Sequence, residues 1–449
     1  MEHAPHPTLI LTPGRQAVPA NGGTLEVLLR LQAPDRPASD QAAARGPLRL
    51  AVVIDRSGSM SGEPLHEALK CAEYIAAGLQ PVDELAVVLY DNQVHVPFPL
   101  QRGGDVAALR RALEGVESGG NTALFDGWEA GATILGQGTE RSMSRVLLLS
   151  DGQANEGLCE PVAIEKHCAQ WAARGVSTTT VGLGRNFNED LMTGMARAGG
   201  GQHYYGQTAK DLQDSFDEEL ALLQSLFLRQ VRVRLAPAAG VIVEPLGIVQ
   251  QLADGRYALK DLAWASEAWM LVRLHVAANP GADPRQPQAL LAVAVEGELE
   301  GGKPVVGLRA MLSLPVVSDK DCEGLPLDEL VARRLKEVEF GQSTATLRDL
   351  VMEGNITAAE KLLTELERQV ADHPWLAEKV AALKQLVARD APMAVKEMHY
   401  AMLRTSQRLA SKSEGQYRVS ETDNSEMPKF LRRKSSEGQG QGQGRKGKK

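Results

Sequence analysis

Between about Pro47 and Ser225 the chain alternates two kinds of hydrophobic pattern. The runs LRLAVVID (48–55), LAVVLYD (85–91), RVLLLSD (145–151) and VSTTTVGLG (176–184) are apolar or β-branched almost throughout. Runs of that kind predict strands buried on both faces of a parallel sheet. Amphipathic stretches lie between them, around Glu63–Gly78, Asp105–Val116, Ala123–Leu135 and Glu160–Arg174, with a fifth near Asp211–Leu226. Strand–helix alternation of this sort predicts a doubly wound α/β domain over 47–225.

The flanks read differently. Thr8–Leu11 and Thr24–Leu31 are strand-like and separated by the turn-rich PANGG, and Pro34–Gly46 has the composition of a linker. Past Phe227 come VRVRLAP, VIVEPL, WMLVRLHVAA, ALLAVAVEGEL and VVGLRAMLSL, punctuated by Gly, Pro and Asp-Gly turns. Residues 226–320 therefore predict an antiparallel, sandwich-like β domain. The strands within 1–46 have no local partners and are expected to complete it, which would make the α/β domain an insertion. Residues 321–411 return to helical spacing, with breaks at Gly354-Asn355, Asp372-His373-Pro374 and Asp390-Ala391-Pro392. Within them 354–370 and the stretch after it resemble a single tetratricopeptide-like hairpin, one copy where a solenoid needs several.

Composition narrows the function classes. A net charge of −8 and an aromatic content of 4% argue against phosphate binding by the body of the molecule and against a base-stacking platform. The segment 412–449 is Ser-, Gly-, Gln- and Lys-rich, carries eight Lys/Arg and one Glu from Lys429 onward, and is expected to be a disordered, solubilising basic tail. Cys71, Cys159, Cys168 and Cys322 form no CxxC pair and read as free thiols of a reducing compartment. No stretch approaches the length of a membrane span, and the N-terminus lacks the pattern of a secretory signal, so a cytoplasmic location is expected.

The candidate chemistry sits where the first sheet strand ends, in Asp55-Arg56-Ser57-Gly58-Ser59-Met60. Open α/β sheets bind ligands outside the carboxyl ends of their strands, where the strand order reverses. One carboxylate and two hydroxyls at two-residue spacing supply hard oxygen donors there, suited to Mg²⁺. Gly119-Gly120-Asn121-Thr122-Ala123 adds a hydroxyl at a helix start, and the strand 145–150 runs into Asp151-Gly152. Taken alone, the first motif has a bland reading: Asp55 as a turn former and Ser57 as a helix cap.

With all three segments in order, the chain resembles the von Willebrand factor A (VWA) family, whose Rossmann-like domain carries a metal-ion-dependent adhesion site. That resemblance implies Asp55, Ser57, Ser59, Thr122 and Asp151 as the metal-site residues, with Mg²⁺ as the expected ion and Mn²⁺ or Ca²⁺ as substitutes. It implies direct ligation by the three hydroxyls and, often, water-mediated ligation by one or both aspartates. Residues 188–220 resemble the closing helix–strand–helix of bacterial VWA proteins. Residues 261–274 and 354–363 are loosely similar to a bacterial group related to inter-alpha-trypsin inhibitor heavy chains.

The function this implies is a non-enzymatic binding module whose protein partner presents Asp or Glu to the metal. The alternative is an accessory subunit of an ATP-driven AAA+ or MoxR-type machine whose ATPase is another chain. Other motifs carry less. Cys159, His167 and Cys168 could suggest zinc, but a structural role is favoured. Gly199-Gly200-Gly201 lacks the Lys-Ser/Thr of a phosphate loop and reads as a turn before an edge strand. Ser57 lacks the context of a nucleophile, and His95 and His203 read as plain surface or edge-strand residues.

Overall fold

The computed structural model describes residues 6–36, 46–136, 142–151, 154–183, 187–206, 209–281, 283, 286–299, 302–305, 307–407 and 409–411. Most of the linker expected at 34–46 and all of the basic tail at 412–449 lie outside these residues. The described residues divide into two compact units: one within 46–225, and one built from 6–36, 226–299 and 303–411.

The second unit supplies the first two strands, β1 (Thr8–Pro13) and β2 (Gly23–Gln32), which pair antiparallel. The 46–225 unit then contributes β3 (Leu48–Asp55), β4 (Glu84–Tyr90), β5 (Val94–Arg102), β6 (Met143–Ser150), β7 (Val176–Leu183) and β8 (Gly200–Gly206). Their order in the sheet is β5-β4-β3-β6-β7-β8. Every neighbouring pair is parallel except β4–β5, where a tight turn at Asp91–Gln93 returns the chain as an antiparallel edge strand. The sequence pattern does not predict β5. It carries Pro97 and Pro99, and only Phe98 is fully buried. Prolines on an edge strand withhold ladder donors and blunt the edge against further pairing.

All eight residues of β3 are buried, and β6 and β7 are buried nearly throughout. Helices α1 (Glu63–Ala77), α2 (Val106–Leu113), α3 (Leu124–Leu135), α4 (Pro161–Ala173), α5 (Glu189–Ala198) and α6 (Ala209–Gln224) cover the sheet. Helix α3 lies unusually close to it. A Cβ on Gly131 would come within 2.6 Å of the Val53 side chain, and one on Gly127 within 2.4 Å of the Tyr90 ring. Trp128 on the same helix is fully buried and donates from Nε1 to the Thr178 hydroxyl at 3.0 Å. This close seating fixes the loop that precedes α3. Helix α6 is held by Glu219, which accepts from Arg145, from the Thr179 hydroxyl at 2.8 Å and from the Tyr204 hydroxyl at 3.1 Å.

In the other unit β9 (Leu226–Pro237), β10 (Val241–Leu246), β11 (Ser266–Val276), β12 (Gln288–Leu299) and β13 (Leu308–Leu314) join the first two strands in two antiparallel sheets. One has the order β1-β2-β11-β10, so β2 pairs with β11 over its whole length, from Gly23↔Val276 to Gln32↔Glu267. The other is built on β9-β12-β13. After the short α7 (Asp319–Glu323), α8 (Glu329–Met352) packs Val331 and Val338 against Leu28, Trp269 and Leu271 of the first sheet. Helices α9 (Ile356–Gln369), α10 (Pro374–Arg389) and α11 (Ala391–Gln407) share an apolar core with α8. Local signals set these boundaries: the Asp328 carboxylate caps α8, Asn355 caps α9 after Gly354 at φ +73°, and Pro374 opens α10.

Candidate metal centre

In the 46–225 unit the strand order reverses at β3 and β6, neighbours whose successors lie on opposite sides of the sheet. The carboxyl ends of these two strands carry Asp55 and Ser150-Asp151. Asp55 is wholly buried; its Oδ1 accepts from the Ser57 amide at 2.8 Å and its Oδ2 from the Ser150 hydroxyl at 2.7 Å. A one-turn 3₁₀ helix at Gly58–Met60 then folds the chain back. It brings the Ser57 and Ser59 hydroxyl oxygens to 3.1 Å from each other, and Ser59 donates to Asp151 Oδ1 at 2.9 Å. Asp55, Ser57, Ser59 and Asp151 are thus gathered at one strand-end crevice.

Thr122 reaches the same crevice through main-chain contacts. The Gly119 amide donates to the Arg56 carbonyl at 2.8 Å, and the Gly58 amide donates to the Gly120 carbonyl at 3.1 Å. The Ala123 amide donates to the Asp91 carbonyl at 2.8 Å. Gly120 adopts φ +77°, and a Cβ there would meet the Asn92 side chain at 2.4 Å, so the turn requires glycine. Thr122 is 3% exposed, and its hydroxyl makes no hydrogen bond among the described residues.

Burial raises both carboxylates above their ordinary range. For Asp55 the desolvation is opposed by hydrogen bonds from Ser57 and Ser150. For Asp151 it is opposed by Ser59 and reinforced by the charge of Asp55. The Tyr90 phenol, fully buried beside Asp55 and Ser150, is pushed well up by burial and by the Asp55 charge. Two desolvated carboxylates near one another with a hydroxyl free to accept form a set that a hard cation fits, since a bound cation relieves what burial penalises. Among the described residues no group of three or more His, Cys, Asp or Glu side chains could hold a metal. The side chains expected from the sequence differ in kind, three of the five being hydroxyls.

Several supporting residues carry no spacing signal. Arg56, inside the first motif, pairs with Asp91 at 2.8 Å, and Asp91 Oδ1 accepts from the Gln93 amide at 2.7 Å. Asn155 accepts from the Thr122 amide through Oδ1 at 2.8 Å and returns its own amide to the Thr122 carbonyl at 3.2 Å. Ser150 alone had a visible cue, a hydroxyl closing an otherwise apolar strand. The remaining candidates do not converge. Cys168 is buried in α4 with its thiol pushed up by burial, His167 packs edge-on against Phe125 at 4.9 Å, and Cys159 lies in the loop before the helix. His95 is exposed on β5, whereas His203 is buried on β8, its Nδ1 2.9 Å from the Thr180 hydroxyl. Cys71, Cys159, Cys168 and Cys322 are all free.

Residues 50–218 match the family model of the von Willebrand factor type A domain, and the six-stranded sheet with its covering helices has that fold. The chain therefore carries a VWA domain, a class of module that generally mediates protein–protein interaction and typically binds a divalent metal at its adhesion site. Among particular relatives, it is 26% identical over 255 residues to the uncharacterized protein sll0103 of Synechocystis, covering 53% of this chain and 59% of that one. It is 29% identical over 193 residues to human inter-alpha-trypsin inhibitor heavy chain H3, covering 39% of this chain and 21% of that one. The chain thus spans less than two thirds of either relative's length. A solved von Willebrand factor type A protein from Catenulispora acidiphila superposes with a TM-score of 0.71 at 15% identity, over 91% of this chain and 98% of the other. The fold match therefore takes in the sheets and helices beyond the VWA domain.

Proposed function

We propose that the VWA domain is a cation-dependent docking module, in which a divalent ion binds among Asp55, Ser57, Ser59, Thr122 and Asp151 and takes a carboxylate from a partner protein. The ion in this reading is Mg²⁺, with Mn²⁺ and Ca²⁺ as substitutes, because the donors are all hard oxygens. When bound, it supplies a positive charge with coordination open to an incoming Asp or Glu. The protein's own part is to hold the donors in place. Ser59 bridges Ser57 to Asp151, and Ser150 holds Asp55 against the strand end. No nucleophile–base pair enters the reading, so the module binds and does not catalyse.

The observation that carries the reading is the chain of contacts Ser57–Ser59–Asp151 across the ends of adjacent strands, above a buried Asp55. No helix among the described residues is long and apolar enough to cross a membrane. The free cysteines support a reducing, cytoplasmic setting as part of the same proposal.

The test is affinity capture from native lysate in Mg²⁺ or EDTA, with Asp55→Ala alongside, followed by Asp→Asn and Glu→Gln scanning of the captured partner. The reading expects a partner retained only by wild type in Mg²⁺, and lost again when one of its carboxylates is neutralised. A partner indifferent to the ion, to Asp55 and to its own carboxylates would refute it.

A further inference from the structure

Among the five donor side chains, Thr122 is the one no side-chain hydrogen bond ties to the others. Its position rests on its main chain, and there a single side chain takes part. Asn155 Oδ1 accepts from the Thr122 amide at 2.8 Å, while the main-chain N–H of Asn155 donates to the Thr122 carbonyl at 3.2 Å. The two bonds close a reciprocal clasp between the loop before α3 and the loop after β6, which also carries Asp151. Asn155 is itself exposed, so this clasp does not owe its place to core packing.

We infer that Asn155 is a positioning residue for the metal site: its side-chain oxygen holds the Thr122 amide, complementing the main-chain bond to the Thr122 carbonyl, and so sets the Thr122 hydroxyl and couples the second and third loops. The inference rests on the cation reading above. The other bonds into this loop reach Gly119, Gly120 and Ala123, and leave the peptide groups of Thr122 to Asn155. Without the amide oxygen at 155, the Thr122 amide must turn to water, and the main-chain placement that sets its hydroxyl is loosened. Outer residues that orient metal ligands change affinity by about 10- to 100-fold when removed.

The experiment is a double-mutant cycle on the full chain, with Mn²⁺ titrated calorimetrically into wild type, Asp55→Ala, Asn155→Ala, Thr122→Ala and the Asn155→Ala/Thr122→Ala pair. Asn155→Ala is expected to weaken Mn²⁺ binding about tenfold or more. In the Thr122→Ala background the same change is expected to have no further effect, because Asn155 acts through the missing hydroxyl. Asn155→Asp, which keeps the acceptor, is expected to restore binding at least to the wild-type level. That rescue separates positioning from a general loss of loop structure. Unchanged affinity in Asn155→Ala, or an undiminished loss in the Thr122→Ala background, would overturn the assignment while leaving the cation reading intact. Equal Mn²⁺ binding by wild type and Asp55→Ala would overturn both.

Discussion

Replacing Asp55 with asparagine separates the cost of the site from its use. Asp55 is fully buried and its carboxyl is held above the ordinary range, chiefly by desolvation. Asparagine keeps an Oδ1 to accept from the Ser57 amide. Its Nδ2 can donate to Ser150, whose hydroxyl turns from donor to acceptor. The substitution thus exchanges a desolvated charge beside Asp151 for a neutral hydrogen-bonded amide. It should stabilise the metal-free VWA domain by about 1 kcal/mol, or about 2–4 °C for a domain of this size. With cation present the order reverses. Wild type at a free ion concentration about a hundred times Kd gains about 2.7 kcal/mol, moving its transition up by roughly 5–10 °C. Asp55→Asn should gain little. Calorimetric scans in EDTA and in saturating Mg²⁺ or Mn²⁺ give all four values. A wild-type transition that ignores the ions, or an asparagine variant that rises with them as far as wild type, would refute a cation site at Asp55.

Two further perturbations test the frame around the site and the helical region. Glu219→Ala strips a buried carboxylate from Arg145, Thr179 and Tyr204 and should cost about 3–5 kcal/mol in urea unfolding, whereas Arg145→Met/Glu219→Leu should recover most of the loss. A single variant within about 0.5 kcal/mol of wild type would show that α6 is held by other contacts. In α11, Lys396 is 5% exposed and burial pushes its ammonium down to about 8. Between that value and its unfolded pKa the unfolded chain binds more protons, so stability should rise as pH rises from about 8 toward 10.5. Lys396→Met should remove the rise and stabilise the protein below pH 8 by about 1–2 kcal/mol, and a flat wild-type profile across that window would contradict the assignment.

The α/β class was legible because strands buried on both faces leave uninterrupted apolar runs, as in all eight positions of β3. Strand β5 escaped the same reading because an edge strand with two prolines keeps neither a full run nor a clean alternation. The joining of β2 to β11 could only be guessed at, since no local pattern names a partner so far along the chain. At the candidate site, residue type and spacing pointed to five residues; hydrogen bonds gather Asp55, Ser57, Ser59 and Asp151, and main-chain contacts bring the Thr122 loop beside them. The supports around them were hidden for a physical reason. Tyr90 acts through burial, Asp91 through its carbonyl as well as its carboxylate, and Asn155 through a main-chain clasp that, read in sequence, looks like an ordinary turn.

The interrupted sheet also constrains how the molecule is made. Leu25 of β2 pairs with Leu274 of β11, about 250 residues later, so relative contact order is high for these strands. At ordinary elongation rates roughly ten to fifty seconds separate the synthesis of the two strands. Throughout that interval the first hairpin has one long edge with nothing to pair with, and its apolar face has no helix to cover it. The VWA domain can fold in the meantime. On the ribosome, then, the inserted domain is complete before the strand that closes its host's sheet is made, and the β2 edge waits unpaired for that interval.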